Sequence, residues 1–246
     1  MELKVLESNK IDEEVANEIV TLIKEKPNCV LGLATGSTPL GVYANLVKKY
    51  ENKEVSFKNV RSFNLDEYVG LKHDNDQSYF YFMHHNLFDH IDINPNNVHV
   101  PDGINYENCL KTYDNEIKKA GGIDLQILGI GSNGHIAFNE PGTDFDSFIH
   151  LVDLKESTIK DNSRFFSSIE EVPTRAITMG LRSIMQAKRI ILIAKGKNKN
   201  HAIKALFDEH GIDETLPVSV LKLHPNVEIY CDKDAAEGVI DEWKNI

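Results

Sequence analysis

Gly129-Ile130-Gly131-Ser132-Asn133-Gly134-His135-Ile136-Ala137-Phe138-Asn139-Glu140-Pro141-Gly142 follows the apolar run Ile123-Asp124-Leu125-Gln126-Ile127-Leu128. Its first six residues spell G-x-G-x-x-G after a strand pattern, the fingerprint of a dinucleotide-binding turn, and Asp153 lies where a ribose-binding acid would be sought. The remainder opposes that reading. A dinucleotide site needs an amphipathic helix that opens at the third glycine and points its N-terminus at the pyrophosphate. Here Asn139-Glu140-Pro141-Gly142 arrives within a few residues and stops a helix. What is left is an imidazole, His135, and a carboxylate, Glu140, on glycine-rich backbone at the end of a strand. Those are parts for acid–base chemistry.

Outward from this stretch, short β-branched runs alternate with helical patterns. Strands are expected at 4–6, 29–33, 60–65, 97–100, 123–130, 149–154, 176–179, 189–194 and 227–231. Helices are expected near 12–25, 39–50, 76–88, 106–120, 181–186, 198–207 and 234–244. In the first of these, Val15, Ile19, Leu22 and Ile23 are spaced for one buried stripe. Such alternation predicts an α/β fold: a Rossmann-like, mostly parallel sheet with helices on both faces, in a single domain spanning 1–246. Around its one strand candidate, the stretch from 141 to about 174 has no clear pattern and is a candidate lid. Ligands of such sheets sit at the carboxyl ends of the strands, so the loops after Leu33, Leu65, Ile130 and Ala194 carry the function.

Composition narrows the function classes. The 246 residues are 41% hydrophobic, and no segment approaches the roughly 20 apolar residues of a membrane span. Met1-Glu2-Leu3-Lys4 lacks the layout of a signal peptide. The net charge of −11, from 27 basic and 38 acidic residues, is spread along the chain and opposes general nucleic-acid binding. Cys29, Cys109 and Cys231 are isolated and odd in number, which indicates neither a disulfide framework nor a zinc site. A soluble cytoplasmic protein is expected. Self-association stays open.

The loop Leu33-Ala34-Thr35-Gly36-Ser37-Thr38-Pro39 runs from a strand into a helix, with Pro39 suited to the first helical position. The N–H groups and hydroxyls of Gly36, Ser37 and Thr38 make an anion cradle. No lysine stands where a nucleoside triphosphate loop requires one, so a monophosphate fits better; an ordinary helix cap is the alternative. In Ser62-Phe63-Asn64-Leu65-Asp66-Glu67-Tyr68-Val69-Gly70 a strand ends in adjacent carboxylates. Held close and partly dry, one of them can take a carbon-bound proton; a solvated turn is the alternative. Arg164 offers a fork for phosphate and Lys199 a point charge, though each by itself reads as a surface cation. No metal-ligand spacing is present: His84-His85 reads as a helix surface pair.

With these residues placed, nearly the whole chain resembles the glucosamine-6-phosphate deaminase (isomerase) family. The shared signatures are Leu33–Pro39, the Phe63–Gly70 segment and Gly134-His135-Ile136-Ala137-Phe138-Asn139-Glu140-Pro141. Related 6-phosphogluconolactonases share the fold and the phosphate loop but not the Asp-Glu-Tyr-Val-Gly segment. The resemblance implies conversion of glucosamine 6-phosphate and water to fructose 6-phosphate and ammonia, with a small-molecule sugar phosphate as substrate and no organic cofactor. It implies that His135 opens the pyranose ring, assisted by Glu140 and residue 133. Asp66 then carries the C2 proton to C1, and the resulting ketimine hydrolyses. Gly36, Ser37, Thr38, Arg164 and Lys199 match the phosphate contacts.

Two departures from the family pattern shape the expectation. Position 133 is Asn where some members carry Asp; an amide only orients, so His135 is expected to lean on Glu140. Allosteric hexameric members place basic side chains soon after the His–Glu loop, where this chain has Phe148, His150 and Val152. No activation by an N-acetylated sugar phosphate is therefore expected. A 6-phosphogluconolactonase-like hydrolase and a non-catalytic sugar-phosphate sensor are the competing readings.

Overall fold

Alternate residues of the central strands bury on opposite faces, the period-two signature of a sheet covered on both sides. The computed structural model describes residues 1–163, 166–208 and 211–239, with the side chains of Ser157 and Asp161 left aside. The elements run β1 (Glu2–Val5), α1 (Ser8–Glu25), β2 (Val30–Leu33), α2 (Leu40–Glu51), β3 (Arg61–Asn64), β4 (Asp66–Tyr68) and α3 (Tyr79–Asn86). They continue β5 (Val98–His99), α4 (Tyr106–Lys119), β6 (Leu125–Gly129), β7 (His150–Asp153) and α5 (Glu156–Asn162). The chain then forms β8 (Arg175–Thr178), α6 (Leu181–Met185), β9 (Ile190–Ala194), α7 (Asn200–Phe207) and β10 (Val227–Cys231).

A seven-stranded parallel sheet has the order β1-β10-β9-β6-β2-β3-β5. On one face Val30, Leu128, Ile190 and Leu192 pack with α4, α6 and α7; on the other Leu31, Leu33, Ile127 and Ile191 pack with α1, α2 and α3. From β2 the chain winds outward to β3, whereas β6 is followed in the sheet by β9 on its other side. The winding reverses between β2 and β6, so a crevice opens at their carboxyl ends, where such folds hold ligands.

The expected parallel sheet with helices on both faces is present. A second sheet, antiparallel and ordered β4-β8-β7, was not foreseen. Its strand β4 lies directly after Leu65, where the sequence suggested only the end of a strand. Other differences are local. α1 starts at Ser8 rather than near 12, since its buried stripe already begins at Ile11. Pro39 caps α2 from outside instead of opening it, and its carbonyl accepts the Tyr43 amide at 3.0 Å. The helix expected from 76 begins only at Tyr79, because the Ser78 side chain accepts the Tyr81 amide and caps it there. Residues 234–239 form turns, and the rest of the last expected helix lies outside the described residues. Within the unpatterned stretch stands α5, which no sequence signal announced. All three cysteines are buried. Among the described residues no helix is long and apolar enough to cross a membrane.

Candidate active site

All four expected loops meet in one cleft of about 600 Å³ at the carboxyl ends of β2, β3, β6 and β9. The β2 loop contributes Thr35 to Thr38, the β3–β4 junction Asp66, the β6 loop His135, and the β9 loop Lys195 and Lys199.

In the loop after β2, the backbone turns at Gly36 with φ +87, a conformation that disfavours any residue with a Cβ. The turn brings Ser37 and Thr38 ahead of α2, whose first N–H groups have no acceptor within the helix. Lys199 lines the same cleft. Lys195 does too, and its ammonium is tied to Asp12 of α1 at 2.5 Å. Gly41 makes room for that pairing: a Cβ there would stand 2.1 Å from Asp12 Oδ2. The sequence pointed to Lys199 and not to Lys195, because charge alone does not rank neighbours. Arg164 lies outside the described residues.

At the β3–β4 junction, strand alternation separates the adjacent carboxylates. Asp66 and Tyr68 share the face that lines the cleft, and Glu67 points the other way. Glu67, fully buried, accepts the amides of Tyr68 at 2.8 Å and of Tyr79 and Phe80 at 2.9 Å. It thereby seals the N-terminus of α3, where a negative charge is favoured. Asp66 is only 5% exposed and has no such donors among the described residues. Burial first, and the Glu67 charge second, push its carboxyl up to about 8. Burial also raises Glu67, but its three amide donors hold it to about 7. Of the two carboxylates, Asp66 is the one placed to exchange a proton with something in the cleft. The solvated-turn alternative fails on burial.

The glycine loop after β6 forms no helix, which removes the dinucleotide reading. Gly131 packs close against the His135 ring: a Cβ there would lie 2.3 Å from Nδ1 and Cε1. Ala137 takes a left-handed φ of 53, strained for a residue with a Cβ and held by the Ile136–Asn139 bridge. Behind the ring runs a polar chain. Thr158 donates its hydroxyl to Glu140 Oε1. Asn133 Nδ2 donates to Glu140 Oε2 at 2.8 Å, and Asn133 Oδ1 receives His135 Nδ1 at 2.7 Å. The expectation that His135 leans on Glu140 needs amendment. His135 Nδ1 and Glu140 Oε1 are 3.8 Å apart, beyond hydrogen-bond range, and Asn133 links the two residues. Thr158 and Asn162 of α5 both line the cleft; neither drew notice in the sequence, because α5 itself was not visible.

The arrangement thus offers an anion cradle with cations at one end, and two proton-transfer groups, His135 and Asp66, on separate strand ends. Among the described residues, no group of three or more His, Cys, Asp or Glu side chains is arranged to hold a metal ion.

Comparison with known proteins places the chain in a family. Residues 7–229 match the family described as glucosamine-6-phosphate isomerases/6-phosphogluconolactonase. The glucosamine-6-phosphate deaminase of Thermoanaerobacter pseudethanolicus is 54% identical over 95% of this chain and 92% of its own length. That of Mycoplasma mycoides is 54% identical, with 96% of each chain covered. The structure of a monomeric glucosamine-6-phosphate deaminase superposes with a TM-score of 0.93 at 41% identity, covering 96% of this chain and 99% of the other. A 6-phosphogluconolactonase from Thermotoga maritima shares the fold, with a TM-score of 0.75 at 24% identity over 94% of this chain and 99% of the other.

Proposed function

The chain belongs to the family of glucosamine-6-phosphate isomerases and 6-phosphogluconolactonases, and we propose that it converts glucosamine 6-phosphate and water to fructose 6-phosphate and ammonia. One observation carries this reading over lactone hydrolysis: a buried carboxyl, Asp66, lines the same cleft as His135. Hydrolysis of a lactone needs an activated water but no transfer of a carbon-bound proton. An aldose-to-ketose conversion needs a base that takes a proton from one carbon and returns it to the next. A sensor would need neither group.

In this reading Gly36, Ser37, Thr38, Lys199 and Arg164 hold the phosphate, and the sugar lies between the two stations. His135 takes the proton of the anomeric hydroxyl and delivers one to the ring oxygen, which opens the ring to the aldehyde. Asn133 and Glu140 hold its imidazole in place. The ionised form of Asp66 removes the C2 proton, leaving an enolamine between C1 and C2. It returns that proton to C1, so that C2 becomes an imine. Water adds to the imine and ammonia leaves. The reaction is a hydrolytic deamination in amino-sugar breakdown, set in the cytoplasm. The segment 141–174, with Arg164, is the candidate lid over the bound sugar.

The test is direct. Purified protein is given glucosamine 6-phosphate, and fructose 6-phosphate and ammonia are measured separately. The reading expects both in equal amounts. Hydrolysis of 6-phosphogluconolactone without ammonia release from the amino sugar would favour the lactonase.

A further inference from the structure

One face of α5 reaches both proton-transfer stations. Thr158 and Asn162 are four residues apart on that helix, so their side chains stand one above the other. Thr158, buried, donates its hydroxyl to Oε1 of Glu140, whose other oxygen holds Asn133 and through it the His135 ring. Asn162 donates Nδ2 to the Tyr68 phenol oxygen at 2.8 Å. Tyr68 is the neighbour of Asp66 on the cleft face of β4, and its ring packs against Phe138 and Tyr79. A single short helix therefore ends two separate hydrogen-bonded chains, one leading to the imidazole and one to the wall beside the buried carboxyl.

We propose that α5 is a positioning helix that sets both stations together, Thr158 fixing the Glu140–Asn133–His135 chain for ring opening and Asn162 fixing Tyr68 beside Asp66 for the carbon-proton transfer. Both residues act through another side chain. Removing the Thr158 hydroxyl leaves one oxygen of a buried carboxylate without its donor, and the chain behind the imidazole loses its anchor. Removing the Asn162 amide leaves the Tyr68 phenol oxygen with only the longer Tyr79 hydroxyl contact at 3.4 Å and loosens the wall that keeps Asp66 dry.

The proposal rests on the deaminase reading, and the two can fail separately. Ring opening breaks no bond at C2, whereas the Asp66 step breaks the C2–H bond. The deuterium isotope effect on kcat with glucosamine 6-phosphate labelled at C2 therefore reads which step limits turnover. Thr158→Val and Asn162→Leu are each expected to lower kcat about tenfold or more. The isotope effect is expected to be clearly smaller in Thr158→Val than in Asn162→Leu, because each variant slows a different step. Thr158→Ser restores both the rate and the wild-type isotope effect. Thr158→Ala takes the place of the valine variant should that one not fold, as judged by thermal melting. Equal isotope effects in the two variants, or kcat within twofold of wild type in either, would overturn the proposal. Absence of ammonia release by the wild type would instead remove the deaminase reading beneath it.

Discussion

The side-chain carbonyl of Asn133 accepts the Nδ1–H of His135, and this single contact fixes which nitrogen of the imidazole carries its proton. Both oxygens of Glu140 act as acceptors, one from Thr158 and one from Asn133, so the Asn133 amide must turn its NH₂ group toward Glu140. The backbone N–H of His135 also donates to Asn133 Oδ1 at 3.2 Å, which fixes the same orientation. An amide oxygen has no proton to give, so Nδ1 of His135 is the donor at 2.7 Å, and in the neutral imidazole the lone pair then sits on Nε2.

Substitutions at 133 separate orientation from charge. Asn133→Leu should leave the fold intact and lower kcat about 10- to 100-fold, the imidazole having lost its tautomer lock. Asn133→Asp should stay active, but its carboxylate favours the charged imidazolium. The limb of the rate–pH profile that reports His135 then moves to higher pH. Steady-state rates from pH 5 to 9 decide it; an unmoved limb in the aspartate variant would separate residue 133 from the imidazole.

Asp66 makes the stability of the protein depend on pH. Its carboxyl lies at about 8 in the folded chain against an ordinary 3.8, raised by burial and then by the Glu67 charge. Between those values the folded chain keeps a proton that the unfolded chain has released, so stability falls as pH rises through the window. Asp66→Asn has no such proton, and its loss of stability should be shallower by about 1 kcal/mol per pH unit. The remaining slope includes Glu67, which is raised in the same direction. Urea unfolding at pH 5 and pH 8 measures the difference, and parallel slopes would mean that Asp66 is ionised throughout.

How much of this was legible from the sequence depends on how local the cause was. The parallel sheet declared itself through β-branched runs, and its four loops through the rule that ligands gather at strand ends. The choice between Asp66 and Glu67 was not legible, because both stand in one turn-like segment. Only the pairing of β4 with β8 turns them to opposite sides and supplies Glu67 with the α3 amides. Thr158 and Asn162 were hidden for a similar reason. The seven-residue α5 is too short to show a periodic stripe, and its role comes from what it is packed against. Asn133 was seen, but its place between His135 and Glu140 is a matter of distance that spacing along the chain does not give.

Lys195 is the cation the sequence undervalued. Paired with Asp12, it lines the same cleft as Lys199 and as Gly36, Ser37 and Thr38, the proposed phosphate cradle. Lys195→Met should raise KM for the sugar phosphate several-fold while kcat stays within about twofold, the mark of lost binding common to ground and transition states. Steady-state kinetics with inorganic phosphate as competitor checks it. An unchanged KM and unchanged phosphate inhibition would assign the lysine to stability alone.

The segment after the His–Glu loop carries Phe148, stacked under the Arg182 guanidinium at 4.7 Å, and Arg182 is itself paired with Asp146 at 2.7 Å. The basic side chains that the resemblance leads one to expect there in allosteric members are not matched at 148, 150 and 152, so saturation by glucosamine 6-phosphate should be hyperbolic. N-acetylglucosamine 6-phosphate should leave its shape unchanged. A sigmoidal curve that the N-acetylated sugar makes hyperbolic would contradict this.

The measurement closest to the centre of the account is turnover of glucosamine 6-phosphate by wild type and Asp66→Asn, read as fructose 6-phosphate and ammonia together. The amide keeps the shape of the carboxyl and lacks the base, so kcat should collapse by about 100-fold or more while substrate binding changes little. Near-normal turnover in Asp66→Asn would contradict the role given to that carboxyl, and with it the two-station mechanism.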